Sequence, residues 1–257
     1  KMGIGTMFLD SYTLRGQMGS SAADQFSVSI WSHFIDHFMA LEYLLKDPKV
    51  DIKKVGVTGH SRGGMISLLA SEKRLRDALI SEDLYFAAAQ PRSPDCEDVG
   101  MFRNPQPITE TKTWMVLGGG DDYTRPGPCV DMGKKIKING GDIIIDVREG
   151  WHHGFLGNYP VEKEKDAQIF WKCPHWYTED DGKPNKEYRD FMLQYGAFNS
   201  QEDWYEFVRK DLNVALRRSM EPYEASKCMF LGAHTGGDKG AVFMEPYLDF
   251  WKKTLLN

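Results

Sequence analysis

Lys54-Val55-Gly56-Val57-Thr58-Gly59-His60-Ser61-Arg62-Gly63-Gly64 decides the fold. Val55 to Thr58 is a short β-rich run, a helical pattern begins at Arg62, and the turn between them holds G-x-S-x-G. This is the setting of a nucleophile elbow, where a serine takes a strained backbone conformation at a sharp strand-to-helix turn. Gly59 and Gly63, two before and two after Ser61, are small enough to let strand and helix come close, and Gly64 loosens the contact further. The backbone N–H of Arg62, at the helix N-terminus, can donate one half of an oxyanion hole. The competing reading is a chance match in a surface turn; the flanking strand and helix favour the catalytic one.

Working outward, apolar β-rich runs at Gly5 to Leu9, Val55 to Thr58, Leu84 to Ala89, Thr113 to Leu117 and Ile143 to Val147 alternate with helical patterns. The helices are expected at Asp24 to Lys46, Arg62 to Ile80 and Pro128 to Ile138, and the alternation predicts an α/β architecture with a mostly parallel sheet. After Phe155 the chain is rich in Trp, Tyr and charge. There Glu162-Lys163-Glu164-Lys165-Asp166 reads as a solvated helix face and no new strand is expected. Asp180-Asp181-Gly182-Lys183-Pro184 reads as a loop, Gln201 to Met220 as an amphipathic helix and Gly240 to Leu256 as a terminal helix.

At 257 residues, 41% hydrophobic and 12% aromatic, the chain suits one domain with a sizeable core. A net charge of -5 without a run of Lys or Arg speaks against nucleic acid or an anionic membrane as partner, leaving small neutral or mildly charged substrates. No apolar stretch approaches the roughly 20 residues of a membrane-spanning helix. The first residues carry no signal-peptide pattern, and nothing in the sequence assigns a compartment. Cys96, Cys129, Cys173 and Cys228 include no C-x-x-C pair, so zinc and thioredoxin-like sites are not expected and buried free thiols are the first expectation. His33 and His37 have metal-ligand spacing, but Phe34 stands where H-E-x-x-H needs its Glu, so helix packing is expected. Gly118-Gly119-Gly120 lacks the rest of a phosphate loop. Neither metal nor cofactor is expected.

A serine hydroxyl is a weak nucleophile and needs a base, and in a chain of this pattern the order should be Ser, then acid, then His. Gly118-Gly119-Gly120-Asp121-Asp122-Tyr123-Thr124 follows one strand and Glu149-Gly150-Trp151-His152-His153-Gly154-Phe155 the next, at the strand ends where open parallel sheets place their sites. Either Asp and either His fits this reading.

These segments bear a resemblance. Asp10-Ser11-Tyr12-Thr13-Leu14-Arg15-Gly16 is similar to the D-S-[FY]-x-x-R-G segment of the dienelactone hydrolase family, within the α/β-hydrolase superfamily. Gly118 to Thr124 resembles the family's G-x-x-D-D-[WY]-T, His152-His153-Gly154-Phe155 its H-H-[AG]-F, and Gly232 to Gly237 its G-A-T-x-G-[GY] element. The stretch from about 176 to 220 matches least.

The resemblance implies an α/β-hydrolase fold with Ser61 as nucleophile, Asp121 as orienting acid, His153 as general base and Arg62 as backbone oxyanion donor. Ser61 stands where the family's namesake has Cys, which shifts the expectation from dienelactone toward carboxylic esters. A lactone hydrolase of dienelactone type is the second expectation, and a noncatalytic binding or assembly subunit the third. The fold's second oxyanion donor comes from a loop upstream of the strand ending at Asp10. The expectation is therefore one domain over 1–257, with a helical elaboration over about 156–225 and its first strands missing, supplied by a longer protein, a second chain or a homo-oligomer. Tyr12, Arg15, Tyr123 and Trp151 are candidates for substrate binding, with Trp176 beyond them; for Arg15 the alternative is a structural ion pair. His60 is expected to pack under the elbow, and the resemblance points to a bridge between Cys96 and Cys129.

Overall fold

A computed structural model of the chain describes residues 2–17, 28–97, 100–196, 199–200, 202–203 and 220–256. The main sheet has four parallel strands in the order β1-β2-β4-β5, formed by β1 (Gly56–His60), β2 (Ala88–Arg92), β4 (Lys112–Gly118) and β5 (Asp142–Arg148). A strand buried on both faces must be apolar on both, and β4 is buried at every position after Lys112. Its alternate side chains face different layers. Met115 and Leu117 pack with Phe34, Phe38 and Leu41 of α1 (Ile30–Leu44), with Ile66 and Leu69 of α2 (Arg62–Leu69), and with Met132 and Ile136 of α4 (Pro126–Ile138). Trp114 and Val116 face Phe243 of α7 (Gly240–Leu255) on the other side, where Trp251 and Leu255 cover Ala88. Helices thus flank a parallel sheet on both faces, as expected for an α/β-hydrolase fold.

Several boundaries differ from expectation. Gly5 to Leu9 is not a strand: it makes no ladder, and Phe8 is 93% exposed. A strand needs a neighbour, and the described residues place none on the outer edge of β1, which pairs only with β2. Of the expected helix Asp24 to Lys46, α1 covers Ile30–Leu44, with the Ser29 side chain accepting from the Trp31 N–H as N-cap; 24–27 lie outside the described residues. The helix expected over Arg62 to Ile80 is two, α2 and α3 (Lys73–Leu79). They part where the Ile108 N–H donates to the Ser71 carbonyl and the Lys73 N–H to the Gln106 carbonyl, which draws the backbone toward a neighbouring segment. The second strand runs Ala88–Arg92 rather than Leu84 to Ala89, because Gln90 and Pro91, polar and helix-breaking in sequence, pair with Thr58 and Gly59 of β1.

The largest correction lies after Phe155. Glu162 to Asp166 belongs not to a helix but to β6 (Tyr159–Ile169), which runs antiparallel to β8 (Phe230–Gly237). The charges at 162–166 alternate in sign along an exposed strand, and pairing with a distant segment overrides the helix pattern. A short β7 (Tyr177–Thr178) pairs with β3 (Met101–Phe102). Helical elements do occur in this region, α5 (Lys186–Gln194) and α6 (Glu221–Ser226), packed around Tyr188, Phe191, Met192 and Tyr223. The expected helix Gln201 to Met220 lies almost wholly outside the described residues. The terminal helix ends at Leu255, one residue before the expected Leu256.

The cysteines are not free thiols: Cys96 bonds Cys129 and Cys173 bonds Cys228. The first pair is the one the resemblance pointed to. The second closes the base of the β6–β8 region. Among the described residues, no helix is long and apolar enough to cross a membrane.

Candidate active site

The C-terminal ends of β1, β2, β4 and β5 lie at one end of the sheet, and the candidate residues follow these ends. Ser61, directly after β1, has φ 53° and ψ -118°, one of three described residues other than glycine with positive φ. An L-residue holds such a conformation only when its surroundings fix it. Here the Ser61 N–H donates to the Arg92 carbonyl at 2.9 Å and the Ser61 carbonyl accepts from the Met65 N–H at 2.9 Å, locking strand, turn and helix. Two glycines permit the close approach. A Cβ on Gly59 would collide with the backbone of Gly63, and one on Gly64 would lie 2.5 Å from the Arg92 carbonyl oxygen. At Gly63 it would meet open space, so Gly64 is the second position where the turn requires glycine, in place of the expected Gly63.

Past β4, Asp121 is 4% exposed and accepts at Oδ1 from the N–H groups of Tyr123 (3.0 Å) and Thr124 (2.9 Å), an Asx-type turn that aims its other oxygen. That oxygen, Oδ2, meets His153 Nδ1 at 2.9 Å. The Thr124 hydroxyl sits within 3.2 Å of Asp121 Oδ2, His153 Nδ1 and the Ser93 carbonyl oxygen. Burial is the largest influence on Asp121 and pushes its pKa up. The His153 hydrogen bond and charge, the Thr124 N–H and the Ser93 side chain outweigh it, leaving the pKa below the usual value. An ionised Asp121 calls for a proton on His153 Nδ1, which leaves Nε2 with its lone pair.

The adjacent acid and histidine go elsewhere. Asp122 turns to His234 on β8, while the His152 ring lies 6.1 Å from that of His234 and beside Gly120. His60, expected to pack under the elbow, makes two ring contacts at the site. Its ring packs 4.7 Å from that of His153, with Phe155 edge-on at 6.1 Å. Burial, then the nearby His153 and Arg92, lower its pKa to about 3, so it is neutral near pH 7 and adds no charge beside His153.

Of the substrate-binding candidates, Tyr123 lies beside His153, with ring centroids 4.9 Å apart; burial, Glu164, Asp95 and Asp121 all raise its pKa. Trp151 is a core residue instead, packed on Phe155 and Phe243. Trp176 stacks on Tyr188 at 5.3 Å. Arg15 makes a two-point ion pair with Asp36 of α1, at 2.6 and 2.8 Å, which fits the structural alternative. Tyr12 stands edge-on to the His33 ring at 4.5 Å. The Arg62 side chain donates to the Val28 carbonyl and, at 3.3 Å, to His33 Nδ1; burial lowers its pKa and the nearby Tyr12 opposes this. His37 Nδ1 lies 2.7 Å from the His33 carbonyl oxygen, so this pair is tied up in helix packing. Among the described residues, no group of three or more His, Cys, Asp or Glu could hold a metal ion.

Sequence reasoning missed Thr124 and the contact of His60 with His153. The signal for Thr124 was available: an Asp followed three residues later by Thr can close an Asx-type turn and present a hydroxyl to the same carboxylate. Nothing local marks His60, whose partner lies 93 residues further along the chain.

The model of the dienelactone hydrolase family matches residues 15–176, more than half of the chain, a span that includes Ser61, Asp121 and His153. Protein usf of Aquifex pyrophilus is 29% identical over 115 residues, which are 45% of this chain and 43% of that protein, so the chain spans under half of that relative's length. Among solved structures, similarity is found to MGS-M1, an alpha/beta hydrolase enzyme from a Medee basin deep-sea metagenome library. That match has 18% identity and a TM-score of 0.39, over 49% of this chain and 52% of the other. Another is the thermophilic esterase Est2 of the Planctomycetes species Thermogutta terrifontis, with 16% identity and a TM-score of 0.41, over 50% and 57% of the two chains.

Proposed function

Because this chain belongs to the dienelactone hydrolase family, we propose that it is a serine hydrolase that cleaves carboxylic esters through an acyl-enzyme on Ser61. The observation that carries this reading is the 2.9 Å contact between Asp121 Oδ2 and His153 Nδ1, at the same sheet end as the strained turn of Ser61. His153 Nε2 takes the Ser61 proton as Oγ attacks the ester carbonyl, and Asp121 holds the imidazole tautomer and stabilises its cation. The Arg62 N–H donates to the oxyanion. His153 then protonates the departing alcohol and the acyl group remains on Ser61. Water, deprotonated by the same histidine, attacks the acyl carbonyl and releases the acid and the free serine.

A serine nucleophile depends on His153 to take its proton during attack, unlike a thiolate. A fluorophosphonate probe should label Ser61, and Ser61→Ala should lose both label and p-nitrophenyl acetate turnover, the latter by at least ~10³-fold. Full turnover in Ser61→Ala, or a label on another residue, would overturn the proposal. A lactone opened by the same steps remains within this chemistry, since ring closure changes only where the alcohol stays.

A further inference from the structure

Three consecutive residues of β8 hold both loops of the proposed site. The His234 N–H donates to Asp122 Oδ1 at 2.8 Å, and His234 Nδ1 meets Asp122 Oδ2, also at 2.8 Å. Thr235 forms an isolated parallel bridge with His153, and the Gly236 N–H donates to the His153 carbonyl at 2.7 Å. Just beyond, the Lys239 N–H donates to the Phe155 carbonyl at 2.9 Å. One short run of backbone therefore grips the residue after Asp121 and His153 itself.

From this we propose that His234 is a positioning residue: by fixing the Asp122 carboxylate to β8 at two points, it sets the Asp121 loop against His153. The inference rests on the catalytic roles given above to Asp121 and His153. Its logic is geometric. Asp121 and Asp122 share a peptide bond, so a carboxylate held at both oxygens restricts the rotation of the backbone that carries its neighbour. His153 is held by the same strand, which makes β8 a common reference for the two halves of the hydrogen bond. The side chains of His234 and Asp122 are each nearly half exposed, at 47% and 45%, so the pair adds little to global stability. Its effect lies in orientation, where about 1 Å of misplacement can cost about 10²-fold in rate. Packing beneath the strand gives it a firm seat: Ala233 lies in a cluster with Ala167 and Ile169 of β6, against which Tyr123 of the acid loop also packs.

The test compares the full chain with His234→Ala, His234→Asn and Asp122→Asn. Asn places an amide donor near the position of the imidazole Nδ1, so it preserves the contact without the ring. For His234→Ala, kcat for p-nitrophenyl acetate should fall ~10-fold with KM nearly unchanged, and His234→Asn should recover most of it. Combining His234→Ala with Asp122→Asn should cost no more than the worse single variant, because the side-chain contact that His234→Ala removes is one that Asp122→Asn already weakens. Proton NMR supplies a readout independent of turnover. The low-field resonance of the His153 Nδ1 proton, identified by its loss in His153→Ala, should broaden or move in His234→Ala and return in His234→Asn. An unchanged resonance and kcat in a folded His234→Ala would overturn this inference while leaving Ser61 chemistry intact. If wild type neither turns over ester nor takes the fluorophosphonate, the reading of the function fails, and the resonance still decides whether His234 positions His153.

Discussion

Gly63 and Gly64 sit side by side in the turn after Ser61 and look equivalent in sequence, yet of the two only Gly64 would drive an added Cβ into another backbone. Gly64→Ala should therefore destabilise the protein by about 1–3 kcal/mol, since the Arg92 carbonyl cannot yield as a flexible side chain would. Gly63→Ala should be neutral or stabilising by up to about 1 kcal/mol, because its methyl meets open space and alanine favours the helix. Chemical denaturation of both variants checks the pair, and equal losses would show that the turn is less tightly coupled to β2 than its geometry implies. At this scale the sequence was most readable for Ser61, whose neighbours in the chain are also its neighbours in space. It was least readable for His60 and His234, whose partners come from segments 93 and 112 residues away.

Elements built on local signals were legible, and those built on distant pairing were not. The parallel strands β1, β4 and β5 announce themselves as short apolar runs. β6 hides because its charged residues gain their strand geometry from β8, across about seventy residues of chain. The break between α2 and α3 hides for the same reason, since the segment around Pro107 that draws the backbone aside is not adjacent in sequence. Of the cysteine pairs, the resemblance pointed to Cys96–Cys129, whereas Cys173–Cys228 was out of reach, because pairing depends on which loops meet. The Cys173–Cys228 bridge joins the chain just after β6 to the chain just before β8. Replacing both cysteines by serine should cost about 2–4 kcal/mol by freeing the unfolded chain. Guanidinium melts of this double variant should shift to lower midpoint; an unchanged midpoint would mean that β6–β8 pairing alone secures that end.

For the molecule as a whole, two buried histidines contribute to the response to acid. His33 and His60 both have pKa values lowered to about 3, burial being the largest cause in each, while histidines in an unfolded chain protonate near the ordinary value of 6.5. Between these limits the unfolded state binds more protons, so stability falls as pH drops from about 6.5 toward 3, by at most about 1.4 kcal/mol per pH unit for each histidine. Asp121 adds to the loss at the lower end: its pKa is depressed, and its contribution disappears only as pH falls through that lowered value. Thermal melts from pH 7.5 to 4.5 should show a Tm that is level above about pH 6.5 and declines below it, and His60→Gln should reduce the slope of that decline; a flat profile throughout would contradict the neutral, buried state of these rings. The second disulfide has a covalent consequence of another kind. Ser61, Asp121 and His153 all precede Cys173, whereas β8 and α7 follow Cys228, so the bridge makes a closed ring of the chain between the two cysteines. A protease that nicks this ring once leaves a molecule of unchanged connectivity across the site. The cut becomes a separation into two polypeptides only when a reductant opens the sulfur bond.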